Sequence, residues 1–394
     1  MGSPPQSTVG ATVRLSELDR DPYPILDRLR EHEPVSWVPE TRMWFVTRRD
    51  DVIAVLRDAE TYTTEADRST IRDIFGSHMM TTDGEVALRY KRRCLHAFRA
   101  DTLETDMRPW VRRRTEALVT AAPDDTAFDL IDRIASPLAV DSALRVLGLP
   151  LDLREAMAEW YGAFAHALAN FTGDPDVRDR GHAAAAAFAE TVVPLLTTLG
   201  PGDQGLLARL VNETDDRFTN EEIVSNALII LFGGIETTES MIANTVWSLL
   251  VTDTWQAAAA PATRGPAIEE ALRWQPAVQS ITRHTTRDTV LRGVDLPAGA
   301  VVQCMIGGAN RDPRQFAEAG RFDPDRSNAA DHLSFGTGRH LCLGAHLARM
   351  EIDAVLETLY RRWPELVFAT GEPPSLRGYE FRRPSGMSIA GRIQ

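Results

Sequence analysis

The 394-residue chain contains a single lysine, Lys91; its other basic residues are arginines, a bias of composition that carries no functional weight. Cysteine is nearly as scarce. Cys94, Cys304 and Cys342 form an odd, sparse set that excludes a disulfide framework and points to a reducing compartment. Long apolar runs are missing: stretches such as 227–232 fall far short of the ~20 residues needed to cross a bilayer. No basic, apolar leader opens the sequence. A cytoplasmic protein without membrane attachment is expected. Positive charge is in deficit, with a net charge of −13. That argues against nucleic acid as a partner, because binding it needs a clustered basic face. Nor does any repeat, low-complexity linker or charge block divide the chain.

What is present is ordinary for a protein with a sizeable core: 43% hydrophobic and 25% charged residues. Residues 1–12 read as a disordered tail, and 13–394 as one large, α-rich domain with peripheral strands. Asp21-Pro22 introduces a helix through Leu29. Residues 35–47 alternate as a β-hairpin turning near Glu40-Thr41. From Asp50 to about Leu199 the hydrophobic period is helical, except over 60–83, which reads as a loop. Thr219-x-x-Glu222 has the form of a capping box. It opens a segment, 221 to about 252, that is apolar on nearly every face and must therefore be a buried helix. A helix over 267–274, strands within 290–306, an irregular stretch over 307–338 and a last long helix over 343–362, stopped by Pro364, complete the pattern. Two small β segments follow.

The stretch Phe335-Gly336-Thr337-Gly338-Arg339-His340-Leu341-Cys342-Leu343-Gly344 is the most informative. A thiolate ligand has to stay deprotonated, so it needs backbone N–H donors and the positive end of a helix. Glycines at 336 and 338 permit a tight loop, Gly344 permits close approach, and Cys342 stands at the head of the last long helix. Cys94 and Cys304 have no such setting and read as small core residues.

In the middle of the buried helix stands Gly233-Gly234-Ile235-Glu236-Thr237-Thr238. Two interior glycines cost about 1 kcal/mol each against alanine, and they open a groove in which an acid and an alcohol could relay protons. Helix packing at the glycines, with a threonine bonded back to a carbonyl, is the plainer alternative.

The cysteine loop, continued by His346, Leu347, Ala348 and Arg349, resembles position for position the signature of the cytochrome P450 family. Gly233 to Thr237 resembles that family's oxygen-binding motif. The resemblance runs from about Asp21 to Ile389. It implies a mainly α, triangular P450-like fold with small peripheral sheets, holding haem b (iron protoporphyrin IX). In that frame Cys342 is the axial ligand. Phe335, Gly336 and Gly344 belong to the cofactor loop, and Glu236 and Thr237 deliver protons, with Thr238 as the alternative hydroxyl. Glu270 and Arg273, an i, i+3 pair of low specificity alone, match the Glu-Arg-Arg scaffold triad, with Arg321 as third member. Arg283 and His340 match the propionate contacts. The family's histidine and arginine on the third main helix fall at Ala87 and Lys91. Lys91 then supplies a charge in place of the arginine, unless Arg89 or Arg92 substitutes.

The resemblance further implies a monooxygenase that spends O₂ and two electrons to hydroxylate, epoxidise or dealkylate a substrate. A separate ferredoxin and ferredoxin reductase, fed by NAD(P)H, would bring the electrons to a monomeric enzyme. The cluster Arg89, Lys91, Arg92 and Arg93 would suit an acidic carrier, or is simply a solvated face. Pocket positions by resemblance are Ile229, Ile230, Phe232, Gly233, Val278, Gln279, Ser280 and Ile281, with Met79, Met80 and Ser385 further candidates. They fit a neutral, natural-product-like molecule. The rivals are a peroxygenase, disfavoured by the Glu236-Thr237 pair, and a haem sensor or carrier, which would not need that pair.

Overall fold

Proline, glycine and capping residues decide where the helices of this chain start and stop. The computed structural model, which describes residues 9–66, 69–123, 126–170 and 173–392, is mainly helical with small sheets. The chain folds into two compact units.

The first unit comprises 1–64, 112–135 and 237–394 and holds the described strands. A five-stranded sheet runs in the order Val35–Val38, Met43–Val46, Val301–Met305, Ser280–Thr285, Tyr62–Thr63. Only the Met43–Val46 and Val301–Met305 pair is parallel. The first hairpin turns through Arg42 at φ 56°, next to the expected Glu40-Thr41. Val46, Val52, Val55, Val302 and Cys304 form the core beneath the sheet.

The second unit comprises 65–111 and 136–236. It is built from helices Gly84–Leu95, Ser136–Leu147, Arg154–Leu168, Pro175–Leu196 and Leu206–Asn212, and from the first half of the long helix Asn220–Val251. Gly148 and Gly205 meet there at positive φ; a Cβ on Gly205 would stand 2.4 Å from the Gly148 Cα. Only glycine fits either place.

The capping box forms as read. The Thr219 N–H donates to Glu222 Oε2 (2.9 Å) and the Glu222 N–H to Thr219 Oγ1 (3.2 Å). The helix it opens is buried along most of its length. Two of its buried alcohols are satisfied locally: Thr245 and Ser248 each donate to the carbonyl four residues back at 2.6 Å. Asn244 Nδ2 donates to the carbonyls of Gln275 and Arg382.

The structure departs from the sequence pattern at several places, among them the strand Phe128–Asp129 in a span expected to be helical. The loop expected at 60–83 contains the strand Tyr62–Thr63 and a helix, Thr70–Phe75, capped by the Ser69 hydroxyl. So short a helix cannot display a helical period. The helix expected from 267 starts at Pro261, where a first-turn proline loses no hydrogen bond. The strand Ser280–Thr285 lies outside the span expected to be extended. Of the expected tail, residues 1–8 lie outside the described residues. Gly10–Thr12 form a 3₁₀ turn, with the Val9 and Gly10 N–H groups donating to the Glu33 carboxylate.

Candidate active site

The cysteine loop is pinned on two sides within the first unit. Gly336 (φ 69°) lies against the strand of Arg283, since a Cβ there would meet Ile281 Cδ1 at 3.5 Å. Gly338 (φ 75°) lies against the end of helix Arg49–Arg57, where a Cβ would stand 2.7 Å from the Leu56 carbonyl oxygen. Arg57 Nε donates to Thr337 Oγ1 at 3.2 Å. The Cys342 N–H closes the loop on the Phe335 carbonyl at 2.9 Å. Cys342 is exposed, three residues ahead of the helix Ala345–Arg362. Cys94 and Cys304 are buried, and burial pushes both thiols up to about 12. Of the three cysteines, only Cys342 is both exposed and next to the N-terminus of a long helix. Those are the conditions that favour a thiolate.

Two ion-pair networks on the helix Pro261–Trp274 reach the segments on either side of this loop. Glu269 takes Arg349 Nε at 2.5 Å and Nη2 at 2.9 Å, and the His332 ring nitrogen at 3.2 Å. The Arg349 guanidinium lies 4.5 Å from the centre of the Phe335 ring. Burial alone would raise the Glu269 pKa, but the Arg349 and His332 hydrogen bonds outweigh it and bring it to about 2. Glu270 and Arg273, both fully buried, form a bidentate pair at 2.7 Å. The third arginine is not Arg321. Arg326 Nε reaches both Glu270 oxygens at 3.2 Å, whereas Arg321 is exposed and pairs with Glu318. Glu318, at φ 46°, begins a turn in which the Arg321 N–H donates to the Glu318 carbonyl at 2.8 Å. The Arg321 carbonyl faces inward and accepts from Arg273 and Arg326.

Arg283 is buried in strand Ser280–Thr285, with Nη1 on the Thr282 carbonyl at 2.8 Å. His340 is half-buried in the 3₁₀ turn Gly338–His340 of the same unit. Thr237 is half-buried and Thr238 fully buried on the central helix.

In the second unit, Glu236 is half-buried, and its Oε2 accepts a hydrogen bond from the Tyr161 hydroxyl at 2.9 Å. Ile229 is buried, Ile230 and Phe232 are half-buried and Gly233 is exposed. Among the described residues, no atom beyond its own helix lies within 4 Å of where a Gly233 Cβ would stand, so close packing against them does not account for that glycine. On helix Gly84–Leu95, Lys91 is half-buried and Ala87 buried. Arg89 is committed to Asp216 (2.7 Å) and Glu222 (2.6 Å), and Arg93 to Glu213 (3.1 Å). Arg92 also pairs with Glu85 at 3.4 Å. Arg89 therefore does not replace the missing arginine, and three of the four residues of the supposed basic cluster are paired with acids of their own unit.

Residues 266–378 match the family model described as Cytochrome P450. The chain is 34% identical over 362 residues to erythromycin C-12 hydroxylase of Saccharopolyspora erythraea, covering 86% of this chain and 87% of the relative. It is 33% identical over 385 residues to cytochrome P450 monooxygenase PikC of Streptomyces venezuelae, covering 92% and 88%. The chain belongs to the cytochrome P450 family. The crystal structure of CalO2 superposes with a TM-score of 0.87 at 32% identity, covering 96% of this P450 and 98% of that chain. This P450 is a haem-iron monooxygenase, and its fold is the mainly helical fold of its relatives.

The donor set fits such a cofactor. The exposed thiol stands on a braced loop at a helix head, and among the described residues other than chain neighbours nothing lies within 4 Å of a Cβ built on Gly344. One supposed pocket residue of the P450 is displaced. Gln279 is fully buried, its Nε2 donates to the Pro276 carbonyl at 2.7 Å, and its Oε1 would lie 2.2 Å from a Cβ on Gly307. It therefore packs against the Gly307 backbone. Ser280 is bonded to Gln303 Nε2 at 2.5 Å, Val278 bridges Phe381, and Ile281 is half-buried. Met79 is buried with its N–H on Asn226 Oδ1, whereas Met80 and Ser385 are exposed. Among the described residues no helix is long and apolar enough to cross a membrane.

Tyr161, Glu269 and Arg326 were not expected from the sequence. Glu269 adjoins the recognised Glu270, and Arg326 lies five residues past Arg321, so their neighbourhoods were marked. The partners that define them are remote in sequence.

Proposed function

We propose that this P450 binds haem b and oxidises a neutral, natural-product-like molecule by hydroxylation, epoxidation or dealkylation, with electrons from a ferredoxin and its reductase. The observation that carries the reading is the setting of Cys342, an exposed thiol on a loop locked at Gly336 and Gly338 and aimed from a helix head. When bound, the thiolate-ligated porphyrin supplies the activation of O₂ and its insertion into substrate. Arg283 and His340 hold the propionates, with Lys91 as a further charge, and Phe335, Gly336 and Gly344 shape the loop side. Glu236 and Thr237 hold and pass protons. Ile229, Ile230, Phe232, Gly233, Val278, Ser280 and Ile281 offer mostly apolar contacts, suited to a substrate without charge. Similarity to an erythromycin hydroxylase supports the natural-product class.

The assignment of Cys342 is tested on the reduced, CO-bound protein. Wild type, Cys94→Ala and Cys304→Ala should show the red-shifted Soret band of thiolate ligation, and Cys342→His should lose it. Loss of the band in either alanine variant would move the ligand elsewhere. For the electron route, turnover should need a ferredoxin, its reductase and NAD(P)H together. Equal product yield with peroxide alone would make the enzyme a peroxygenase.

A further inference from the structure

Tyr161 lies on helix Arg154–Leu168 and touches two residues of the central helix at once. Its hydroxyl donates to Glu236 Oε2 at 2.9 Å, and its ring stacks on Phe232 with centroids 5.7 Å apart and planes 18° from parallel. Phe232 and Glu236 are four residues apart and so share one helix face. The contact is braced from the other side. Phe75 meets Phe232 at 5.7 Å and stands edge-on to Phe164 at 5.0 Å, and Phe164 is three residues beyond Tyr161 on the same helix. The phenol is thus held by an aromatic cluster and aimed at one carboxylate oxygen.

A glutamate side chain has several rotatable bonds, and a proton carrier is useful only while its oxygen stays within hydrogen-bond reach of the next group. A phenol donating to a carboxylate is a charge-assisted bond of the stronger kind, able to select one rotamer. We propose that Tyr161 is a positioning residue for this monooxygenase. Its hydroxyl fixes Glu236 through Oε2, leaving Oε1 as the oxygen that exchanges protons, and its ring links that hold to Phe232 in the substrate contact set. The inference rests on the reading of Glu236 as a proton carrier. It adds that the acid is positioned from helix Arg154–Leu168 rather than by the central helix alone.

Tyr161→Phe keeps the ring and removes the hydroxyl. With substrate and a working ferredoxin system, the variant should consume NAD(P)H at a comparable rate. Product per NAD(P)H should fall about tenfold, with peroxide making up the difference. The substrate-induced spin-state titration should keep its midpoint, so the loss appears in kcat and not in KM. Adding Tyr161→Phe to Glu236→Gln should cost nothing further, because the hydroxyl acts through that carboxylate. Independently of turnover, the Glu236 carboxylate stretch should shift in Tyr161→Phe. It is identified by infrared difference against Glu236→Gln in ¹³C-glutamate-labelled protein. If Glu236→Gln uncouples while Tyr161→Phe stays coupled, the positioning role is overturned and the reading of Glu236 survives. If neither variant uncouples, the reading of Glu236 falls and takes this inference with it. If Tyr161→Phe shifts only the binding midpoint, the residue is a packing contact and the proposal is wrong.

Discussion

At the scale of single residues, the proposed proton relay and one paired carboxylate each give a test. Thr237 is the simplest case. Removing its hydroxyl should leave substrate binding and reduction intact, because neither needs a proton at that point. Thr237→Ala should therefore consume NAD(P)H at a comparable rate, yield less product and release more peroxide. Thr237→Ser should recover part of the coupling, and Thr238→Ala, at a buried position, should do little harm to it. The ratio of product and peroxide to reductant consumed decides. Glu269 carries a different consequence. Its pKa, ordinarily 4.5, is brought to about 2 in the folded protein by Arg349 and His332. A depressed carboxylate stabilises the fold fully above its unfolded pKa and loses that contribution as pH falls through the folded value. Between pH 4.5 and about 2 the thermal midpoint of wild type should drop more steeply than that of Glu269→Gln. Parallel curves would show that the Arg349 pair contributes nothing there.

At the scale of elements, two glycines, one in each unit, do opposite jobs. Gly338 has both a positive φ and the Leu56 carbonyl where a Cβ would go. Gly338→Ala forces a left-handed residue, a strain of about 1–3 kcal/mol, and also displaces backbone of helix Arg49–Arg57. Urea unfolding should show a loss of at least that size, with weaker haem retention. Gly233 sits in a regular helix with nothing beyond that helix near its missing Cβ. Gly233→Ala should therefore raise stability by up to about 1 kcal/mol through helix propensity. A loss instead would show that the residue is conformationally special. The glycine pair was legible in the sequence as an oddity needing a reason. That no other element packs against the missing Gly233 Cβ became visible only with the tertiary structure.

Across the whole molecule, the networks at Glu269 and Glu270 link segments far apart in sequence: Glu270 to Arg326 across 56 residues, and Glu269 to Arg349 across 80. They tie the helix Pro261–Trp274, the irregular stretch after it and the last long helix into one frame beneath the cysteine loop. Breaking a buried pair by removing one partner is costly because it strands the other charge. Arg326→Ala should therefore destabilise by about 3 kcal/mol or more. Arg321→Ala, at an exposed side chain, should stay within about 0.5 kcal/mol. Equal effects in a denaturant titration would refute the assignment of Arg326 as third arginine.

The sequence by itself determined what is local. The cysteine loop, the capping box, the buried central helix and the Glu270–Arg273 pair could all be read, because each is built by residues within one or two turns of each other. The family resemblance added the meaning of Cys342. Tertiary structure decided what depends on direction. Arg326 meets Glu270 from 56 residues away, while Arg321, five residues earlier, is exposed and pairs with Glu318. Gln279, just ahead of strand Ser280–Thr285, packs against Gly307, a contact between segments that only tertiary packing decides. Arg89 and Arg93 lose their freedom to acids at 213–222 that no spacing rule connects to them. Tyr161 meets Glu236 from 75 residues away, since a hydrogen bond between helices is fixed by how they pack and not by either sequence alone.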